Sequence, residues 1–391
     1  MYKEINLKDE IFTLNAEFNI DTRVDKINGG IGIYLDNFGK PFVIPVIKKI
    51  ISSLDFSNFN YLPINGDPIF LEESAKLVLG DDLYNEYKNQ LIKQGTDGGT
   101  NGIFIWANLI KFINPKPTII VSNPTWENHK KILNHCGFNI IEYNHINKSG
   151  LFDFDSFEKV ISQYPNSFAL FHGGSTHNPT GVNPSIEEWK KISEITKKNN
   201  NYILFDFAYL GLGEDVEKDC FPIRYFLEKK NKLAIVISYS KNMTLYQHRA
   251  GVLIIPTIKI KERKDNETII KYLFRLVNQT PTAFGEIIAK NILNNHEYKE
   301  EWLKSLTEMR QNIFKRRQLF DQYTHHQFPQ ITQQKGLYSL LKITPEEVKI
   351  LKNKNSIYLL STGRINFGGI SIENTSKVAK AYLNVRQNSS F

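Results

Sequence analysis

Cysteine is nearly absent from this 391-residue sequence: only Cys136 and Cys220 occur, far apart and without C-x-x-C spacing. A disulfide framework and a cysteine-based zinc site are thereby excluded, and a reducing cytosol fits. Long hydrophobic runs are missing too, the longest falling far short of the roughly 18 residues a membrane span needs. The N-terminal MYKEINLKDEIFTL interleaves charged and apolar residues without an apolar signal core, so secretion and membrane insertion are not expected and a cytoplasmic location is. No internal repeat or low-complexity tract is evident. The 49 Lys and Arg against 41 Asp and Glu leave a net charge of +8, yet the lysines lie dispersed among acids, as in KIKERKDN at 259–266. Nucleic-acid binders gather their charge on one face or tract, so nucleic acid is not an expected partner.

Hydrophobic residues at 41%, charged at 23% and aromatic at 12% are the proportions of a soluble globular protein. The length suggests about two or three lobes. Four short apolar runs read as buried strands: PTIIVS (117–122), SFALFHG (167–173), NYILFDFAY (201–209) and LAIVISYS (233–240). Between them lie helix-like stretches, including 127–136 and 185–198, the second opened by Asn-Pro-Ser with Glu187 and Glu188 in its first turn. Apolar strands alternating with helices predict an α/β domain with a mostly parallel sheet covered on both faces. After about residue 300 a long charged helical stretch (298–323) and shorter strand-like pieces (336–343, 356–367) predict a smaller α+β lobe.

Lys241 directly follows an apolar strand in SYSKNMTLYQHRAG (238–251), where open α/β sheets bind ligands. An exposed lysine is the rule, but one placed there suits a Schiff-base nucleophile, and Arg249 and Ser238 in the same segment suit a phosphate beside it. Asp206 closes the run YILFDFAY, with Tyr209 three residues later. A carboxylate within such a run needs a hydrogen-bond network or a cationic partner, the latter either a structural arginine or a pyridinium nitrogen. TDGGTNG (96–102) precedes an apolar helical stretch, so its glycines and Thr100 can present donors to a phosphate at a helix N-terminus. Trp126 follows a strand end, fit to stack on an aromatic ring or to fill core. In HNPTG (177–181) Asn178 keeps an amide for a ligand oxygen, and in STGRINFGG (361–369) Arg364 is set among small residues as a carboxylate fork or a structural arginine.

Taken in order, these segments resemble the pyridoxal-phosphate-dependent class I aminotransferases, in particular the aspartate and aromatic aminotransferase subgroup. The likeness runs from about Gly30 to Phe367 and includes NGGIGIYLDNFGKP (28–41), YLPINGDPIF (61–70), GGTNG, SNPTWENHKKILNHCGF (122–138), HNPTG, FDFAYLGLG (205–213), SYSKNMTLYQHRAG, RLVNQTPTAFG (275–285), QKGLYSLL (334–341) and GRINFGG. It implies a fold type I homodimer with shared active sites, in which a large domain with a mostly parallel mixed sheet sandwiched by helices is joined by a smaller α+β domain. The expected division is 1–42 contributing to the small domain, 43–305 as the large cofactor domain and 306–391 as the small C-terminal domain.

Position by position, the resemblance implies that Lys241 holds pyridoxal 5'-phosphate and moves the substrate proton, Asp206 pairs with the pyridine nitrogen, and Asn178 and Tyr209 hydrogen-bond the phenolic oxygen. Trp126 stacks on the ring, while Gly99, Thr100, Ser238 and Arg249 hold the phosphate, with Tyr61 reaching it from the other subunit. Arg364 takes the substrate α-carboxylate in a region lined by Gly32, Trp126 and Asn178, and Arg275 takes the distal carboxylate across the dimer interface.

The implied reaction is amino transfer between amino acids and 2-oxo acids, with glutamate/2-oxoglutarate as one pair and an aromatic amino acid or aspartate as the other. Three departures stand out. HGGSTHN (172–178) is one residue longer than the family form, so a buttressing role is not carried onto His172. The loop at Gly39-Lys40-Pro41 is a residue shorter. Leu35 is apolar where aspartate-selective members often carry lysine, which favours an aromatic or broad acceptor, whereas Asn60 and Thr100 match the aspartate type. A lyase or decarboxylase on the same fold is the alternative enzyme, and an aminotransferase-like sensor the alternative outside enzymes.

Overall fold

The computed structural model describes residues 9–55, 57, 60–174, 176–257 and 259–388. The first eight residues of the N-terminal stretch noted above, and Ser175 within the longer loop, lie outside them. Contacts divide the chain into a larger unit, 43–178 with 182–310, and a smaller one, 1–42 with 179–181 and 311–391. The division falls within one helix, His296–Tyr323.

The larger unit is built on seven strands: β1 (Leu91–Thr96), β2 (Thr118–Asn123), β3 (Asn139–Asn144), β4 (Phe168–His172), β5 (Tyr202–Phe207), β6 (Lys232–Ser238) and β7 (Gly251–Pro256). Their order in the sheet is β1-β7-β6-β5-β4-β2-β3. Every pair is parallel except the two made by β7, which runs antiparallel between β1 and β6. Ile119, Ile120 and Val121 of β2 and Ile203, Leu204 and Phe205 of β5 are fully buried, as strands covered on both faces require. Each such side chain contributes about 1.5–3 kcal/mol on leaving water.

Helices cover the sheet where the apolar periodicity allows. Gly99–Ile113 buries Ile103, Trp106 and Ile110 in one core with Ile119, Leu204 and Val236. Ile186–Lys198 starts at a capping box in which Ser185 Oγ accepts the Glu188 N–H and the Glu188 carboxylate accepts the Ser185 N–H. Among the described residues no helix is long and apolar enough to cross a membrane, and Cys136 and Cys220 are buried free thiols.

In the smaller unit Ile27–Asn28 pairs parallel with Ile357–Tyr358, and Tyr338–Leu340 pairs antiparallel with Arg364–Asn366. Two buried arginines stand in for further sheet. Arg316 donates to the carbonyls of Leu35, Phe367 and Gly368, and Arg317 to those of Gly336 and Tyr338. A guanidinium with five donors can satisfy several such carbonyls in one plane.

Candidate active site

Ser238 ends β6 and caps the one-turn helix Tyr239–Asn242, its Oγ accepting the Ser240 N–H, so Lys241 stands just past the carboxyl end of the strand. The turn is pinned on three sides. Tyr239 donates to Ser74 Oγ at 2.8 Å, Asn242 donates to the Leu210 carbonyl at 3.1 Å, and Trp302 donates to the Asn242 carbonyl at 2.7 Å. The half-buried Lys241 is thus held on a rigid support, its Nζ 5.4 Å from the centre of the Tyr209 ring. Asn178 donates to the Tyr209 hydroxyl at 3.3 Å.

Asp206 lies on β5 in register with His172 of β4 and Val236 of β6. Its Oδ2 accepts from His129 Nε2 at 2.8 Å, whereas Oδ1 is buried without a hydrogen-bond partner. Thr125 Oγ1 lies 3.1 Å from His129 Nδ1 and 3.3 Å from His172 Nε2. The threonine has one hydrogen to give; given to a neutral His129 at Nδ1, it leaves His172 to donate from Nε2. His172 Nδ1 is then the bare nitrogen, and it too has no partner. The chain of rings continues from His172 to His177 at 4.6 Å and to His145, stacked on His177 at 3.5 Å. Burial holds His172 and His177 well below the ordinary imidazole range and pushes His145 down to about 4.

Gly98 and Gly99 open the helix Gly99–Ile113, in the turn the sequence assigned to a phosphate. Gly98 has φ +83°, and a Cβ there would come within 2.5 Å of an Arg249 nitrogen; one on Gly99 would meet Ser238 at 3.3 Å and Asp206 Oδ1 at 3.8 Å. Arg249 donates to Ser240 Oγ at 3.1 Å and to the Tyr246 and Asp97 carbonyls at 3.0 and 2.9 Å. A helix N-terminus, a guanidinium and serine hydroxyls therefore share one corner, which suits an anion.

Of the residues named from sequence, the larger unit brings together Gly99, Asp206 and Ser238 directly, Asn178 with Tyr209, and Tyr209 with Lys241. Trp126 is half-buried, with His129 edge-on at 5.0 Å. Thr100 and Arg275 are exposed, as is Tyr61. In the smaller unit Arg364 is buried, its guanidinium 4.5 Å from the Tyr338 ring centre and donating to the Gly30 carbonyl at 2.9 Å. Gly32 makes room for the Tyr338 hydroxyl, which a Cβ would meet at 2.5 Å. Sequence reasoning passed over His129, Thr125 and Ser240. A usable signal existed for His129, three residues after Trp126 on one helix face.

The donor set fits pyridoxal phosphate. The unpartnered, buried Asp206 Oδ1 calls for a proton donor such as a pyridinium nitrogen, and the Gly98–Gly99 turn beside Arg249 is a cradle that any side chain would fill. Residues 24–381 match the family model for aminotransferase class I and II. The chain is 34% identical to the mitochondrial aspartate aminotransferase of Dictyostelium discoideum, over 96% of this chain and 90% of that one. It is 31% identical to the aspartate aminotransferase of Haemophilus influenzae, over 96% and 97%. In structure it is similar to the aromatic-amino-acid aminotransferase of Burkholderia pseudomallei covalently bound to pyridoxal phosphate, with a TM-score of 0.92, 29% identity and 98% of both chains covered.

Proposed function

The chain belongs to the class I and II aminotransferases and is a pyridoxal-phosphate-dependent aminotransferase; from that premise we propose that it exchanges glutamate/2-oxoglutarate with an aromatic amino acid or aspartate and its 2-oxo acid. Bound pyridoxal phosphate supplies a reactive aldehyde carbon and an electron-withdrawing ring. Lys241 Nζ would hold it and, once displaced by the substrate amine, would carry the proton taken from the substrate Cα to the cofactor's former aldehyde carbon. Asp206 Oδ1 would accept the ring nitrogen's proton in a hydrogen bond, while His129 on Oδ2 keeps the carboxylate aimed. Asn178 and Tyr209 hydrogen-bond the phenolic oxygen, and Trp126 stacks on the ring. Gly99, Thr100, Ser238 and Arg249 bind the phosphate. The observation that carries this reading is the pairing of Lys241 at one strand end with a buried carboxylate that has one free acceptor oxygen on the neighbouring strand.

Arg364, Gly32, Trp126 and Asn178 take the α-carboxylate end of the substrate, and Arg275 takes a distal carboxylate. Arg275 and Tyr61 serve a second copy in a homodimer with shared sites. Support comes from exposed bulky side chains around them: Tyr61 is 80% exposed, Leu276 66%, Tyr272 57% and Val277 56%. A cytoplasmic location is supported by the two free, buried thiols.

A scan of the holoenzyme with each of the twenty amino acids tests the substrate assignment through the absorbance of the bound cofactor. Glutamate and at least one aromatic amino acid or aspartate are expected to change it, and Arg275→Ala is expected to lose the dicarboxylates while keeping phenylalanine. No response to glutamate would contradict the reading.

A further inference from the structure

The main chain of Asp97 touches the phosphate corner, while its carboxylate is engaged elsewhere. Asp97 precedes the Gly98–Gly99 turn, and its carbonyl accepts from Arg249 at 2.9 Å. Its Oδ1 accepts the Thr282 N–H at 3.0 Å and the Thr282 hydroxyl at 2.7 Å, and its Oδ2 accepts the Asn278 side-chain amide. Asn101, in the first turn of the same helix, completes the knot: its Oδ1 accepts the Asp97 N–H at 3.2 Å, and its Nδ2 lies 3.5 Å from Asn278 Oδ1.

The far side of the knot is the chain that follows Arg275. Helix Ile260–Val277 carries Arg275 in its last turn and ends at the cap residue Asn278, and Thr282 caps the next helix, Ala283–Asn294. One carboxylate therefore grips both ends of the 278–282 connection. An ionised acceptor makes stronger bonds to such donors than a neutral one. The same residue fixes Arg249 through its carbonyl, so a shift of the connection is transmitted to the guanidinium through one peptide unit.

We propose that Asp97 is a positioning residue that couples the phosphate grip of Arg249 to the placement of Arg275. The proposal rests on the roles given above to those two arginines. Since Arg275 serves the second copy in that reading, the coupling runs from one active site of the dimer to the other.

The test compares Asp97→Ala, Asp97→Asn, Arg249→Ala and Arg275→Ala in two readouts. One is the dissociation constant of pyridoxal phosphate, from quenching of tryptophan fluorescence as the apoenzyme is titrated. The other is KM for glutamate against KM for phenylalanine. Asp97→Ala is expected to weaken cofactor binding about tenfold and to raise the glutamate KM about tenfold, with the phenylalanine KM moving less than about twofold. Asp97→Asn keeps an acceptor for Thr282, and Asn278 can turn its amide to meet it, so both values are expected to return to within about threefold of wild type. If Asp97→Ala lowers only the melting temperature, leaving the cofactor constant and the KM ratio unchanged, Asp97 merely caps a helix and the coupling is overturned. Should Asp97→Ala not fold, Asn278→Ala leaves the Asp97 main chain intact and is expected to raise the glutamate KM about threefold and the cofactor constant about twofold; no change in either overturns the coupling. The arginine variants separate the two levels. If Arg249→Ala binds cofactor normally or Arg275→Ala keeps the glutamate KM, the underlying assignment has failed; if both respond and Asp97→Ala does not, the coupling alone has failed.

Discussion

The surroundings of Asp206 and of Glu286 pose one physical problem in two places. Both carboxylates are buried, and both have one oxygen bonded and one without a hydrogen-bond partner: Asp206 is held by His129, Glu286 by the Asp67 N–H at 2.8 Å. The neighbours differ. Beside Asp206 stand His129 and His172, from which the rings of His177 and His145 continue, and burial holds His172, His177 and His145 below the ordinary imidazole range. Around Glu286 stand Gly66 and Gly95, whose absent side chains leave just enough space, and burial pushes the carboxyl up to about 8. The bonded oxygen has an imidazole at the first place and a backbone N–H at the second, where burial keeps the proton on the carboxyl. A buried carboxylate with a free oxygen becomes a functional group where a ligand can supply the missing partner.

The largest expected effect is on catalysis. Asp206→Asn keeps a contact to His129 but cannot hold a proton on the ring nitrogen, and its kcat is expected to fall about a hundredfold to a thousandfold, while Glu286→Gln falls less than about threefold. Equal losses in the two variants would erase the distinction drawn between the carboxylates.

Stability against alkali comes next. Glu286 is raised from 4.5 to about 8 in the fold, so between those values the folded chain keeps a proton that the unfolded chain has lost. Its contribution is full below about 4.5 and is lost as pH rises through about 8, on the order of 3 kcal/mol between pH 5 and 8. Urea unfolding across that range is expected to show the decline in the wild type and a flatter profile in Glu286→Gln.

Acid acts on the other region. His145 falls from 6.5 to about 4, and its stacking on His177 leaves no room for two cations. A depressed histidine contributes fully above about 6.5, and the contribution is lost as pH falls toward 4. Between pH 7 and 5 this amounts to about 2 kcal/mol. His145→Phe keeps the stack, and its pH 7 to pH 5 difference in urea unfolding is expected to shrink by about that amount.

The smallest effect concerns packing. A Cβ on Gly95 would lie 2.1 Å from Glu286 Oε1, so Gly95→Ala is expected to cost about 1–2 kcal/mol. Adding Glu286→Ala should remove most of that penalty in a double-mutant cycle; independent, additive losses would mean that the two residues do not share a space.

Sequence and structure agree where burial is uniform. The four strands read from apolar runs are β2, β4, β5 and β6, four of the five in the parallel block, because burial on both faces leaves an unbroken hydrophobic signal. Two of the three strands not read lack that signal, each for a separate reason. β1 carries Lys93, Gln94 and Gly95, and β3 is an edge strand with only Tyr143 buried; β7, Gly251–Pro256, is apolar and buried over its first five residues and was passed over despite that signal. Nothing in composition announces that β7 runs antiparallel.

The site divides the same way. Lys241 and Asp206 were legible because each interrupts or ends an apolar run. His129 was passed over: its place three residues after Trp126 was a usable signal for a site residue, but nothing along the chain marks the carboxylate 77 residues away that it bonds. Asp97 and Glu286 read as an ordinary loop residue and an ordinary helix residue, since their partners are brought by the fold from far along the chain.

The most direct test of the central claim is to reduce the holoenzyme with borohydride, which fixes the cofactor covalently to the amine that holds it, and to locate the added mass by peptide sequencing in a mass spectrometer. One pyridoxyl group per chain on Lys241, absent in Lys241→Ala, is the predicted result. A label on another lysine, or none at all, would contradict the placement of the cofactor at the end of β6.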